Sequence, residues 1–182
     1  MMMSPFTFYS AFLATLLSVT CLSRLAWQTH NKLQPRTLSE LAATELSLLK
    51  YFRIVLWLCG TLFAITIYWL VVPRTTHPVL VAAAWSLEYI GNLALAVIPA
   101  RGKTLGWHTV FAQVMAAGML SLAYLFWINL PGAYSVLELV LSLAMTILVV
   151  LMVADRRRFI FYELPFIFLS HGSILVAVLA LR

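Results

Sequence analysis

Apolar residues are grouped along this chain in six long runs, which short polar segments separate. A helix needs about 20 predominantly apolar residues to cross the hydrocarbon core of a bilayer. The runs therefore predict an all-α, polytopic membrane bundle of six transmembrane helices. Strand-like alternation of apolar and polar residues is absent from the sequence, which argues against a membrane β-barrel. The predicted spans are residues 5–27, 51–72, 78–98, 107–128, 133–154 and 159–181.

The segments between the runs have the chemistry of helix breaks. Proline lacks an amide N–H and restricts the residue before it, so a helix is not expected to continue through residues 73–78. Turn-forming residues occupy 99–103 and 129–132. Residues 155–158 are four consecutive charged side chains, which hydrocarbon would reject.

Composition agrees with a membrane location. The chain has 182 residues, of which 63% are hydrophobic and 10% charged, whereas soluble domains have about 25% charged residues. We therefore expect one integral membrane domain over residues 1–182, in a cell membrane, with lipids as partners. The net charge is +6, but no basic cluster lies on a soluble segment, so we expect no nucleic-acid partner. Cys21 and Cys59 have no metal-ligand spacing.

The distribution of lysine and arginine predicts the orientation. Basic residues flank the cytoplasmic ends of membrane helices more often than the other ends. Arg74 and Arg182 lie on one side of the predicted bundle, which then has both termini outside the cell. The other ten basic residues lie on the opposite side, predicted to be cytoplasmic: Arg24, Lys32, Arg36, Lys50, Arg53, Arg101, Lys103, Arg156, Arg157 and Arg158.

The longest predicted loop, residues 28–50, contains a helix-start signal. Thr37 and Glu40 have the spacing of a capping box, in which each side chain satisfies a free backbone amide. Leucines recur after it at roughly helical spacing. The pattern predicts a short interfacial helix on the cytoplasmic face, and the loop is a candidate docking site for a partner protein. A solvated connector with a few leucines is the alternative.

Two short segments resemble a known family. The first is TLSELAAT, which contains Ser39, Glu40 and Leu41, followed by LLKYFRIVLWLCGTLFAI. The second is GWHTVFAQVMAAGM, with His108 and Ala112 four positions apart. Both are similar to the bacterial membrane proteins grouped as domain of unknown function family 998, which are distantly related to the DRAM-like membrane superfamily.

The resemblance implies a compact six-helix membrane fold in a bacterial inner membrane. It implies no particular reaction, because the family is uncharacterised. The DRAM-like relatives are associated with lipid handling and membrane trafficking. The sequence departs from the family pattern at Ala42, where a glycine is usual. The DRAM-like first loop is on the non-cytoplasmic side, whereas the basic residues here predict a cytoplasmic loop.

Two ionisable residues are predicted to lie near the middle of the bilayer. Glu88 is about 15 Å along the third span at 1.5 Å per residue, and His171 is at a similar depth on the sixth. A lone acid at this depth costs about 3 kcal/mol, so we expect Glu88 to face the bundle interior with His171 as its partner. A protonated Glu88 bonded to a backbone carbonyl or to Tyr89 is the alternative. Three residues could complete the bond: Asn92, Ser170 and Ser173.

Other polar residues lie nearer the predicted surfaces. Glu138 shares a stripe with Ser142 and Thr146, which could form a wet groove. At the cytoplasmic side, His108 lies at one helix end, and Glu163 is placed in the first turn of the sixth span, where the helix dipole favours a carboxylate. Ordered by depth from outside to inside, Glu138, then Glu88 with His171, then His108 with Glu163 form a stepwise series. Such a series could form a proton path. A few polar contacts that tie helices together would give the same pattern.

No catalytic, cofactor or metal-binding motif occurs in the sequence. The predicted function is therefore the binding or transport of a small or lipid-like ligand within the bundle. The alternative is a non-catalytic scaffold or accessory subunit of a larger complex, and a weaker alternative is a lipid-modifying enzyme. The candidate ligand-binding or buried polar cluster comprises Glu88, Asn92, His171, Glu138, His108 and Glu163.

Overall fold

The computed structural model describes residues 5–29, 37–43, 45–155 and 158–182. Within these ranges the chain is almost entirely helical and contains no strand, which confirms the all-α prediction. The helices are α1 (Pro5–Thr29), α2 (Leu38–Ala42), α3 (Leu46–Thr66), α4 (Pro78–Val97), α5 (Leu105–Asn129), α6 (Gly132–Ala154) and α7 (Phe159–Ala180).

Six of these helices are long and apolar enough to cross a membrane, and α2, with five residues, is not. The span that contains α3 extends through a π-helical turn at Ile67–Val71 and a 3₁₀ turn at Val72–Arg74. Its beginning differs from the prediction, because α3 starts at Leu46 rather than at residue 51. Leu49 and Phe52 are buried in the bundle, so packing extends the helix beyond its most apolar run.

The surface of the bundle is largely apolar. Trp27 is 84% exposed, Val79 78% and Val97 72%, and many other large hydrophobic residues are similarly uncovered. Soluble monomers rarely expose extended apolar patches, whereas such a surface matches the hydrocarbon of a bilayer. Together with the six long apolar helices, it supports a multi-pass integral membrane protein.

The helices pack mainly against their neighbours in sequence, and α7 packs back against α1. Successive spans run in opposite directions, so the bundle has two distinct ends. We call one of them the α2 end, because it contains α2, the loop 98–104 and the α6–α7 connection. The other end contains the turns at residues 75–77 and 130–131 together with residues 5 and 182.

The described basic residues follow this division. Arg74 and Arg182 lie at the end opposite α2. The α2 end carries Arg24, Lys50, Arg53, Arg101, Lys103 and Arg158. Lys32, Arg36, Arg156 and Arg157 are outside the described residues. The location of the α2 end in the cytoplasm stays a prediction.

The closest helix contact is between α4 and α5. A Cβ added at Gly118 would lie 2.5 Å from the backbone nitrogen of Glu88, and one at Gly91 would lie 2.7 Å from the Cβ of Met115. Small residues allow this approach in a bilayer, where lipid supplies no hydrophobic drive for helix association. The contact fixes the backbone that carries Glu88.

Candidate functional site

A cavity of about 70 Å³ lies inside the bundle. Six of the helices contribute to its wall, and α6 does not. One part is lined by Glu88 and His171, and Leu38 and Ser39 of α2 line another part. A cavity needs at least about 10–15 Å³ to hold one water, so this one has room for several waters or for a ligand of a few heavy atoms.

The spacing of residues along α4 places Glu88 in the wall of this cavity. Trp85, Glu88, Asn92 and Leu95 recur at three- and four-residue spacing, which places them on one face of the helix. Glu88 is the eleventh residue of α4, at a depth of about 15 Å from the helix start. Only 4% of Glu88 is exposed, which confirms that it faces the interior.

Helix α7 contributes a second polar stripe. Glu163, Ile167 and His171 are separated by four residues each and all line the cavity. His171 is 5% exposed, and its ring packs on Phe63 with a centroid distance of 4.8 Å. Within the described chain, no direct hydrogen bond or ion pair joins Glu88 to His171. The two residues share the cavity instead.

Two of the three residues that could complete a Glu88–His171 bond have other partners. Asn92 Nδ2 donates to the carbonyl oxygen of Leu56 at 2.8 Å, which ties α4 to α3. Ser173 Oγ donates to Glu138 Oε2 at 2.7 Å. Among the described residues, none of these three side chains forms a hydrogen bond to Glu88, so the prediction that one of them completes the bond is wrong.

Glu138 is fully buried between α6 and α7 and is not part of the cavity wall. The hydroxyl of Ser142 donates to the backbone carbonyl of Glu138. The hydroxyl of Thr146 donates to the backbone carbonyl of Ser142 at 2.8 Å. Helix packing covers Glu138 and Ser142, so this part of the predicted wet groove is closed. A carboxylic acid or carboxylate here can bond one neighbouring helix through Ser173.

Glu163 joins α7 to α2. Its Oε2 accepts a hydrogen bond of 2.8 Å from the backbone N–H of Leu38. Thr37 Oγ1 accepts from the N–H of Glu40 at 3.0 Å, which confirms half of the predicted capping box. Glu163 is the fifth residue of α7, beyond its first turn. The dipole of its own helix therefore does not explain its position, because the free amide that it satisfies belongs to α2.

His108 is buried near the same end but is not part of the cavity wall. Its Nδ1 donates to the carbonyl oxygen of Ile98 at 2.6 Å, so Nε2 is the ring acceptor. The carboxylate of Glu40 interacts electrostatically with both His108 and Glu163. The predicted series of polar steps is thus divided: Glu88, His171 and Glu163 share a cavity, while Glu138 and His108 have separate surroundings.

Three side chains in the cavity wall retain a buried polar atom without a hydrogen-bond partner in the described chain. They are Trp85 Nε1, Glu88 Oε2 and His171 Nδ1. Most buried polar groups have a partner, and each exception needs an explanation. Sequence reasoning missed Trp85, although its position three residues before Glu88 places it on the same face of α4.

Among the described residues, no group of three His, Cys, Asp or Glu side chains could hold a metal ion. Comparison of the chain with protein-family models, curated proteins and solved structures finds no match. The resemblance to domain of unknown function family 998 therefore stays a prediction. The proposed function therefore rests on the geometry of the cavity and its wall.

Proposed function

We propose that this protein binds or transports a small ligand in the cavity between Glu88 and His171, as a multi-pass protein of a bacterial inner membrane. The observation that carries the proposal is the grouping of three unpartnered polar atoms, from Trp85, Glu88 and His171, in the wall of one cavity. Leaving a buried polar group unpaired costs about 1–3 kcal/mol. A ligand that bonds these atoms would recover part of that cost on binding.

The wall indicates the chemistry of the ligand. The indole N–H of Trp85 can only donate, while Glu88 and His171 can each donate or accept according to their protonation. Apolar side chains, including Phe63, Met119 and Ile167, form much of the remaining surface. The best match is a compact amphiphile with one polar group, such as a small amine or alcohol, or the polar end of a lipid-like molecule with its tail outside the cavity.

Thermal stability of the purified protein in detergent tests this proposal. The probes are a panel of small amines and alcohols and of single-chain lipids. A ligand at 100 times its Kd stabilises the folded state by about 2.7 kcal/mol, so a true ligand should raise the melting temperature in a concentration-dependent way. Glu88→Gln and His171→Ala should abolish the rise.

The matched control is Glu138→Gln, which alters a buried acid outside the cavity wall. It should keep the ligand-dependent rise. If all three variants respond like the wild type, the ligand binds elsewhere and the proposal fails. A panel without any stabilising compound would also count against it.

A scaffold is the second candidate, and a specific observation favours it. Asn92, Glu138 and Glu163 each form a hydrogen bond to another helix, which is what a bundle held by polar contacts requires. In that case Glu88→Gln and His171→Ala would lower the yield of folded protein or its assembly with a partner. Leu38 and Leu41 of α2 are buried. A docking protein would therefore contact the exposed residues 45–47, which precede and begin α3.

A further inference from the structure

The acidic and basic groups of the cavity are arranged along the bundle axis. Glu163 and His171 lie on the same face of α7, eight positions apart, which corresponds to about 12 Å. Glu163 lies at the α2 end, and Glu88 lies at the depth of His171. The cavity therefore connects a half-buried acid near one surface to two buried ionisable groups near mid-depth.

The charged and titratable groups of the wall are few. Cys59 on α3, Glu88 and Tyr89 on α4, and Glu163 and His171 on α7 complete the titratable set. The portions of α1, α2 and α5 in the wall contribute serine and apolar side chains. No lysine or arginine of the described chain lines the cavity, so no fixed positive charge holds Glu88 ionised.

The size and polarity of the cavity favour water. Cavities with only apolar walls stay dry, whereas water enters where several polar groups can bond it. At a minimum of about 10–15 Å³ per water, this volume of about 70 Å³ holds at most roughly five to seven waters. The free atoms of Glu88 and His171 would bond some of them, and such a chain of waters can carry a proton between carboxyl groups.

We propose that a proton reaches Glu88 from the α2 end through the hydrated cavity, with Glu163 as the exchanging group. The proposal rests on the proposed function, since it names the ion for the same site. When Glu88 releases a proton, the O–H bond of its carboxylic acid breaks and the adjacent water gains the proton. The chain of waters passes one proton to Glu163, which releases one to the solution. The net change is a Glu88 carboxylate and one proton outside the cavity.

The contacts of Glu163 suit this role. Its Oε2 accepts the bond from Leu38 N–H, which leaves Oε1 for proton exchange. Ser39 of α2 lies in the same part of the wall. Glu163 is only half-buried, so part of its surface can contact water.

Infrared spectroscopy of the purified protein in phosphatidylcholine vesicles tests this route without any ligand. During a pH titration, the C=O band of the protonated Glu88 side chain is identified as the band that is missing in Glu88→Gln. On transfer from H₂O to D₂O, this band should shift rapidly in the wild type. Glu163→Gln should slow the shift on the order of tenfold, while its amide oxygen still accepts the bond from Leu38.

A cavity-filling variant supplies a second measurement that does not depend on Glu163. Ala112 is part of the cavity wall and Ala116, one turn further along α5, is not. Ala112→Leu should slow the shift of the Glu88 band on the order of tenfold, and Ala116→Leu should leave it unchanged. The band should also persist in Glu138→Gln. Near-native helicity by circular dichroism identifies the variants that fold.

Three outcomes overturn the proposal: no Glu88-dependent band at any pH, an exchange rate in the wild type as slow as in Ala112→Leu, or an unchanged rate in Glu163→Gln. These results are distinguishable from failure of the proposed function. Rapid exchange through the cavity with no stabilising ligand would support the proton route and reject ligand binding. Ligand-dependent stabilisation with slow exchange would do the reverse.

Discussion

The Glu163 Oε2 atom accepts a 2.8 Å hydrogen bond from the backbone N–H of Leu38, 125 positions earlier in the chain. This bond joins the last membrane helix to the N-terminus of the shortest helix. It places α2 over one end of the polar cavity, where Leu38 and Ser39 form part of the wall. A carboxylate is well suited to this position, because the first amides of a helix have no partner within the helix.

Removal of this bond should loosen α2. Glu163→Ala leaves Leu38 N–H without its acceptor, and the loss of a comparable helix cap costs about 0.5–2 kcal/mol. The measurement is thiol labelling of Ser39→Cys in a protein with Cys21→Ser and Cys59→Ala. Labelling should become faster by roughly tenfold in Glu163→Ala, as expected for about 1.4 kcal/mol.

Glu163→Gln is the matched control for this measurement, because its amide oxygen can still accept from Leu38. It should label at close to the parent rate. Equal rates in all three proteins would show that the bond does not hold α2 in place.

The close contact of α4 with α5 should not tolerate a methyl group. A Cβ at Gly118 would lie 2.5 Å from the Glu88 backbone nitrogen, and overpacking of this kind costs about 1–3 kcal/mol. Gly118→Ala should therefore lower the free energy of unfolding, measured by reversible denaturation in mixed micelles.

Gly172 provides the control, since a Cβ added there meets nothing within 4 Å. Gly172→Ala should be neutral or stabilising by up to about 1 kcal/mol, because alanine favours a helix interior over glycine. A destabilisation by Gly172→Ala as large as that by Gly118→Ala would indicate a general effect on these helices rather than the α4–α5 contact.

The bond between Glu138 and Ser173 should contribute a measurable coupling between α6 and α7. Side-chain hydrogen bonds between membrane helices contribute about 0.6 kcal/mol on average and up to about 1.7. A double-mutant cycle with Glu138→Ala and Ser173→Ala should give a coupling energy in this range. Strictly additive effects on unfolding would contradict the bond of 2.7 Å seen here.

The orientation of the bundle can be tested at Asp155, which follows α6 at the α2 end. A reporter that is active only in the cytoplasm should be active when it is fused after Asp155 and inactive when it is fused after Thr76. The reverse pattern would place the α2 end outside the cell.

The fold was predictable because apolar run length is a strong signal. Six runs of about 20 residues leave few alternatives to a membrane bundle. The break predicted at residues 73–78 is present in the structure at residues 75–77, between the 3₁₀ turn and α4. The burial of Glu88 was predictable for the same reason, since hydrocarbon penalises an exposed acid.

The partners of the polar residues were not predictable from depth alone. Depth places residues at one level, but the direction of each side chain around its helix decides which neighbour it meets. Ser173 and His171 differ by two positions, or about 200° around the helix, so Ser173 contacts α6 while His171 lines the cavity. The role of Glu163 could not be predicted, because it depends on where α2 packs and no local sequence pattern specifies that.

Glu88 and His171 face a shared polar cavity inside the bundle. An experimental structure of the wild-type protein in lipid nanodiscs would show what occupies that cavity. We expect non-protein density, from water or a ligand, within hydrogen-bond distance of both side chains. A structure with the Glu88 carboxyl on the lipid-facing surface, or with the cavity closed by packed apolar side chains, would contradict the account.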